Sequence, residues 1–236
     1  MHKVLDFIKK NKQFSFFLLL VILLALITIF APVIAPQDPY VSDLKNALQP
    51  PSSAHWFGTD KLGRDIFSRV IYASRSSLPA TLILVALIFV IGTLLGTLAG
   101  YFGGWIDAVI MRISDMMISF PGMVLAIAVA GIMGASVKNA VIAVAVVSWP
   151  KYARLARSLV MKIRHEDYIY AAIVTGSKTS YILRKYMLPN IIPTLIITAA
   201  TDIGGMMLEL AGLSFLGFGA KAPAAEWGLM LNEGRT

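Results

Sequence analysis

"AAIVTGSKTSYILRKYMLPN", residues 171–190, is a basic and polar stretch set between two long apolar segments of an otherwise oily chain. From Asp167 onward, helix formers lead through the small residues Ala171 and Ala172 to Gly176, which predicts a short helix that glycine stops. "SKTSYILRKYML" then predicts a second helix with Ser177 or Thr179 as its cap. Pro189 either ends that helix or marks the entry to the next apolar segment. Two short helices meeting at an angle over a small-residue bend make a compact knob. Such a surface lets another protein's backbone come close, and its basic neighbours favour an acidic or mixed partner; the plainer reading is a connector lying on lipid headgroups.

The rest of the chain says why a polar loop of this size is unusual. Hydrophobic residues make up 57% of the sequence and charged residues 14%, and mean hydropathy is +0.74. That balance excludes an ordinary soluble domain of this length and predicts an all-α integral membrane protein. With no cysteine there is neither a disulfide framework nor a thiolate metal or redox site. The net charge of +8 is not assigned to nucleic acid, because no soluble domain presents it. In a protein with several spans, Lys and Arg report orientation instead.

Crossing a bilayer takes roughly 18 or more apolar residues. The segments that qualify are 14–31, 79–100, 116–134, 139–160 and 190–213. Lys151, Arg154 and Arg157 are expected to snorkel from the end of the fourth toward the headgroups. The first has a basic front but too long an apolar run for a secretory signal, and further spans follow it. Placing the N-terminus in the cytoplasm puts 13 of the 21 Lys and Arg on the inside. It makes 1–13 a cytoplasmic N-terminus, 32–78 an external loop with an interfacial segment, 161–189 a cytoplasmic loop and 214–236 an external loop. Five spans leave position 236 outside, and "KAPAAEWGLMLNEGRT" reads as a loop cut before a sixth span.

Against this frame, residues 171–189 resemble the coupling loop of permeases of ATP-binding-cassette importers, whose pattern is E-A-A, three residues, G, nine residues, I, any residue, L-P. Ala171, Ala172, Gly176, Leu188 and Pro189 keep its spacing, while Tyr170 stands for the Glu and Tyr186 for the Ile. "HWFGTDKLGRDIFSRVIYASRSSL" (55–78) and "LSFLGFGAKAPAAEWGLML" (213–231) resemble segments of the C-type permeases of the dipeptide, oligopeptide and nickel importers. The Asp-Ile-Gly and Met-Met elements near 202–207 resemble the nickel branch most. The resemblance implies a type I importer transmembrane domain in the bacterial plasma (inner) membrane, docked on two cytoplasmic ATPase subunits through Tyr170, Ala171, Ala172, Gly176, Tyr186, Leu188 and Pro189. It further implies a homologous B-type permease, an extracytoplasmic substrate-binding protein and surrounding membrane lipid as partners. ATP and Mg would be bound by the ATPases, with no cofactor in this chain.

Several features carry their own physical readings. Gly92, Gly96 and Gly100 form one smooth helix face fit for close packing against another helix. Asp202, Met206 and Glu209 share a face of the fifth span. Acidic groups in a membrane are costly, so these three are candidates for a translocation path that attracts a cation, a metal complex or a substrate amine. The competing reading is bonds to neighbouring spans. In 55–78, Thr59 or Asp60 can cap a helix and Asp65 can pair with Arg64 or Arg69. His55, Asp60 and Asp65 as an acid-base or metal cluster is the weaker reading beside an interfacial segment that helps seat a binding protein. "TGSKTS" lacks the first glycine, the strand and the Gly-Lys step of a phosphate loop. A secondary transporter would show inverted repeats, which the two halves lack. A membrane-embedded enzyme would need converging ligands, yet His2, His55 and His165 are scattered.

Overall fold

The computed structural model describes residues 11–235. Among them the chain is nearly all helical: α1 (Lys12–Ile34), a 3-10 turn (Leu44–Asn46), α2 (Ile66–Phe102), α3 (Gly104–Ile118), α4 (Gly122–Met133), α5 (Val137–Ile163), α6 (Asp167–Val174), α7 (Thr179–Ile182), a π-helical turn (Leu183–Met187), α8 (Leu188–Phe215) and α9 (Trp227–Glu233). The lysines at 3, 9 and 10 and His2 lie outside the described residues. Three helical stretches are long and apolar enough to cross a membrane, namely Lys12–Ile34, Ile66–Phe102 and Thr179–Phe215. The pair α3 and α4, bent by 94° at its break, makes a fourth if taken as one.

Three boundaries differ from the sequence reading. The helix expected at 79–100 starts at Ile66, because Asp65 caps it: its carboxylate accepts from the Ser68 N–H at 2.8 Å. The apolar run 116–134 is broken between Ile118 and Gly122. Pro121 has no N–H to give and drives the residue before it out of the helical region. Near 179–190, neither Ser177 nor Thr179 caps: Lys178 holds the N-cap position with no side-chain bond. Pro189 does not end the helix there but sits in the first turn of α8. The π turn just before it absorbs the hydrogen bond that proline cannot make and relieves its clash with the preceding turn.

The chain divides into two units, 1–79 with 222–236, and 80–221. In the second unit α5 is the central element. It buries a run of small and aromatic side chains from Ala140 to Val160, packing against α3, α4 and α8. The glycine face of α2 packs on it as well. A Cβ at Gly96 would lie 2.2 Å from the Ala153 carbonyl oxygen, one at Gly92 2.4 Å from the Tyr152 Cβ, and one at Gly100 2.8 Å from the Arg157 carbonyl oxygen. The neighbour those glycines serve is therefore a helix of this chain. Because α5 carries Lys151, Arg154 and Arg157, it is less apolar than the other long helices, and its burial comes from packing.

In the first unit, two chain segments are stapled by polar contacts. Trp227 donates its indole N–H to the Val70 carbonyl at 3.0 Å. Glu226 caps α9 by accepting from the N–H groups of Gly228 at 3.0 Å and Leu229 at 2.8 Å. A helix of seven residues is too short to hold itself in water, so α9 depends on these contacts and on the cluster described below.

Candidate functional site

The knob at 161–189 is built by a helix that ends sharply. The Thr175 N–H bonds the Ala171 carbonyl, that of Gly176 the Ile173 carbonyl and that of Ser177 the Ala172 carbonyl, each at 3.0 Å. The last two form a Schellman motif, and Gly176 takes the left-handed position at φ +78° that glycine occupies without steric cost. A Cβ built there would meet nothing within 4 Å. The bend therefore presents bare backbone to its surroundings.

The sequence-predicted docking residues separate into two sets. Tyr170, Ala171, Gly176 and Pro189 are exposed. Ala172 is 7% exposed and turned into the core with Ile169, Ile182 and Met187, so its side chain anchors the knob and is not offered to a partner. Tyr186 and Leu188 are half-buried against the same core. Tyr186, where the pattern has Ile, lies between two other phenols, with ring centroids 5.9 Å from Tyr168 and 5.9 Å from Tyr181. Tyr170, where the pattern has Glu, meets His165 Nδ1 at 3.1 Å through its hydroxyl. The two departures thus replace a charge and an aliphatic contact with aromatic ones.

On α8, Asp202 is tied to α5. Lys151 Nζ lies 2.7 and 2.8 Å from its two carboxylate oxygens, and the Tyr152 hydroxyl donates to it at 2.9 Å. Met206 is buried in the core at 9% exposure, and Glu209 is half-buried with no hydrogen bond or ion pair among the described residues. Gly204 and Gly205 open onto empty space, whereas a Cβ at Gly212 would press on the Met123 side chain at 2.7 Å. The three candidate path residues do share one face. That face looks toward α5 at Asp202, so the sequence alternative of bonds to a neighbouring helix holds for that residue.

Lys151, Arg154 and Arg157, expected at the end of the fourth span, are tied to neighbouring helices. Each finds a carboxylate, on Asp202 of α8 and on Asp115 and Asp107 of α3 respectively. Their three-residue spacing puts them on one helix face. With aspartates on other helices, that spacing was the available signal for a ladder, but nothing in the chain's order says which aspartate meets which base.

In the first unit, the buried charges of the 55–78 segment are paired internally. Arg64 Nε lies 2.7 Å from an Asp60 oxygen and its Nη2 2.9 Å from Glu233. Arg69 Nη1 lies 2.7 Å from Glu233 and also pairs with Asp60. The two arginines are 2% and 1% exposed. Asp65 does not pair with either. Instead it takes His55 Nδ1 at 3.0 Å and both the N–H and hydroxyl of Ser68. Burial works against ionisation of Asp60, but hydrogen bonds from the Arg64 N–H, its guanidinium and the Leu62 N–H outweigh it and hold the carboxyl below its ordinary range. Among the described residues, no group of three His, Asp or Glu side chains could hold a metal ion. His55 pairs with Asp65, whereas Asp60 pairs with the two arginines, so the three do not form one cluster.

A fold with this helix order is found in solved importers. The chain aligns with a subunit of the inward-facing MetNI methionine ABC transporter at a TM-score of 0.56 and 19% identity, over 71% of this chain and 89% of that one. An amino acid ABC transporter aligns at 0.52 and 19% over 70% and 76%. These likenesses show the fold, and the sequence matches give the class. Residues 92–235 match the family described as "Binding-protein-dependent transport system inner membrane component", and residues 2–51 match the "N-terminal TM domain of oligopeptide transport permease C". The chain belongs to that permease family, as a C-type, multi-pass subunit of an ABC importer in the inner membrane. It is 44% identical to the dipeptide transport system permease protein of Alkalihalophilus pseudofirmus, over 97% of this chain and 75% of that one. Identity is 46% to the probable D,D-dipeptide permease of Escherichia coli K12, over 92% and 72%. Its nickel permease is 40% identical over 92% and 79%. The resemblance of the Asp-Ile-Gly and Met-Met elements to the nickel branch is thus not matched by a higher overall identity.

Proposed function

We propose that this chain forms half of the translocation path of an ATP-driven importer, with loop 161–189 on the cytoplasmic side and seated in a groove of a separate ATPase subunit. The observation that supports it best is the two-sided knob: Ile169, Ala172, Ile182 and Met187 fix one side in the core while Ala171, Ile173, Val174 and the bare bend at Gly176 face outward. From Thr179 the helical stretch runs unbroken to Phe215, 37 residues. A push on the knob is therefore carried along α7 and α8 to Asp202 and Glu209. Two ATPases, holding ATP and Mg2+, would close on this knob and on that of a B-type permease, and a binding protein would deliver cargo from the other side.

For cargo, Asp202 is already engaged and Met206 is buried, which leaves Glu209 as one carboxylate where a bare divalent ion needs several donors. The path is accordingly suited to a small solute carried whole. A nickel chelate and a short peptide both satisfy this, and relatives of this chain are named for nickel and for dipeptide transport. Uptake of labelled nickel, with and without a chelator, beside a labelled dipeptide, by cells with and without the gene, separates them.

The docking reading is tested at Gly176. Gly176→Trp should abolish both ATP-dependent uptake and retention of the ATPase on the purified complex. Gly176→Asn, which tolerates the left-handed backbone, should keep the permease folded and its ATPase bound. Normal uptake and ATPase retention in Gly176→Trp would overturn the reading.

A further inference from the structure

Beyond the Schellman turn, a surface pocket of about 470 Å3 is lined by Ser177, Lys178, Ser180, Tyr181 and Arg184. Its donors are two cations, two aliphatic hydroxyls and a phenol, and Lys185 stands beside it. From Tyr168 to Thr201 the sequence contains no Asp or Glu, and none of Lys178, Arg184 and Lys185 has an ion pair among the described residues. By contrast, Lys151, Arg154 and Arg157 on α5, and Arg64 and Arg69 in the 55–78 segment, each meet a carboxylate. The acidic position of the coupling pattern is filled by Tyr170, whose hydroxyl is occupied by His165. From the second turn of α6 through the pocket, the knob therefore carries positive charge only.

We infer that this pocket receives a carboxylate side chain of the ATPase subunit, so that the cognate ATPase is selected by an acidic segment placed just past its contact with the Gly176 bend. The inference rests on the docking reading above and adds the chemistry of the partner surface. Charge complementarity at a docking rim sets partner choice and association rate, and a like charge placed opposite is strongly unfavourable. A protein partner is favoured over anionic lipid headgroups by what adjoins the pocket. Ile173 and Val174 are 49% and 87% exposed next to a backbone left bare at Gly176, a combination that offers apolar and close-backbone contact, for which a headgroup has no use.

The test uses the assembled permease pair with its ATPases in vesicles of phosphatidylcholine alone, and of phosphatidylcholine with phosphatidylglycerol. Carbodiimide, which joins an amine to a carboxylate only at contact distance, should link Lys178 to an Asp or Glu of the ATPase in both lipids. Lys178→Arg should abolish that link and leave the complex intact. The double variant Lys178→Glu with Arg184→Glu should weaken ATPase retention on the order of 100-fold, and reversing the linked carboxylate to Lys should restore it. If the double variant retains its ATPase while Gly176→Trp loses it, the inference falls and the docking reading stands. If both retain it, the docking reading falls too. Loss of retention confined to vesicles with phosphatidylglycerol, without a link from Lys178, would assign the pocket to lipid and overturn the inference.

Discussion

Two regions of this chain are rich in arginine and lysine, and they use them in opposite ways. Around Asp60, the guanidinium groups of Arg64 and Arg69 are almost wholly buried and shared between Asp60 and Glu233. Around Gly176, Lys178, Arg184 and Lys185 stand exposed with no ion pair among the described residues. A buried charge is tolerable only when paired, so the first cluster must close on itself during folding. An exposed charge costs little to leave open, so the second can wait for a partner. The difference separates charge that holds the fold from charge that the fold leaves open.

The largest effect that would sharpen this contrast is expected from Arg69→Ala. It leaves Glu233 and Asp60 with one guanidinium between them and should destabilise the first unit by roughly 3 kcal/mol. Because α9 is too short to persist alone, amide exchange across 222–233 should accelerate in the detergent-solubilised protein while α5 keeps its protection. Unchanged exchange in 222–233 would break the claim that the cluster holds this segment.

A smaller effect is expected from pH. The carboxyl of Asp60 titrates below its usual value in the folded protein, so its contribution is fully present above the unfolded value of about 3.9. It is lost as pH falls through the lower folded value. Thermal stability of the wild type should therefore drop steeply below about pH 4. Asp60→Asn should begin lower and show a flatter acid limb.

The smallest is expected from Arg184→Ala, an exposed side chain with no internal partner. Its melting temperature should stay within the effect of about 0.5 kcal/mol typical of such sites, while the salt dependence of ATPase association shifts. A clear loss of stability would mean that the loop's charges, like those around Asp60, belong to the fold.

Much of this was legible in the order of residues. The all-α membrane class follows from composition. The helix stop at Gly176 follows from the conformation only glycine takes without cost, and the glycine face of α2 from a four-residue spacing. The broken third segment was visible in Pro121 but hidden by the apolarity around it, since hydropathy averages over a kink. Ala172 shows a different failure: its place in a docking pattern says nothing about which side of a two-turn helix is buried, and the structure turns it inward.

What the sequence alone determined is whatever depends on neighbours along the chain: apolar runs long enough to span, turns that require glycine or proline, and the spacing that resembles the coupling pattern. What only the tertiary structure decided is which charges meet. Lys151 joins Asp202 across 51 positions, Arg157 joins Asp107 across 50, and Arg64 joins Glu233 across 169. A side chain's charge is a local property, but whether it is spent on the fold or left for a partner depends on what packing brings within a few ångströms of it, and chain order does not encode that distance.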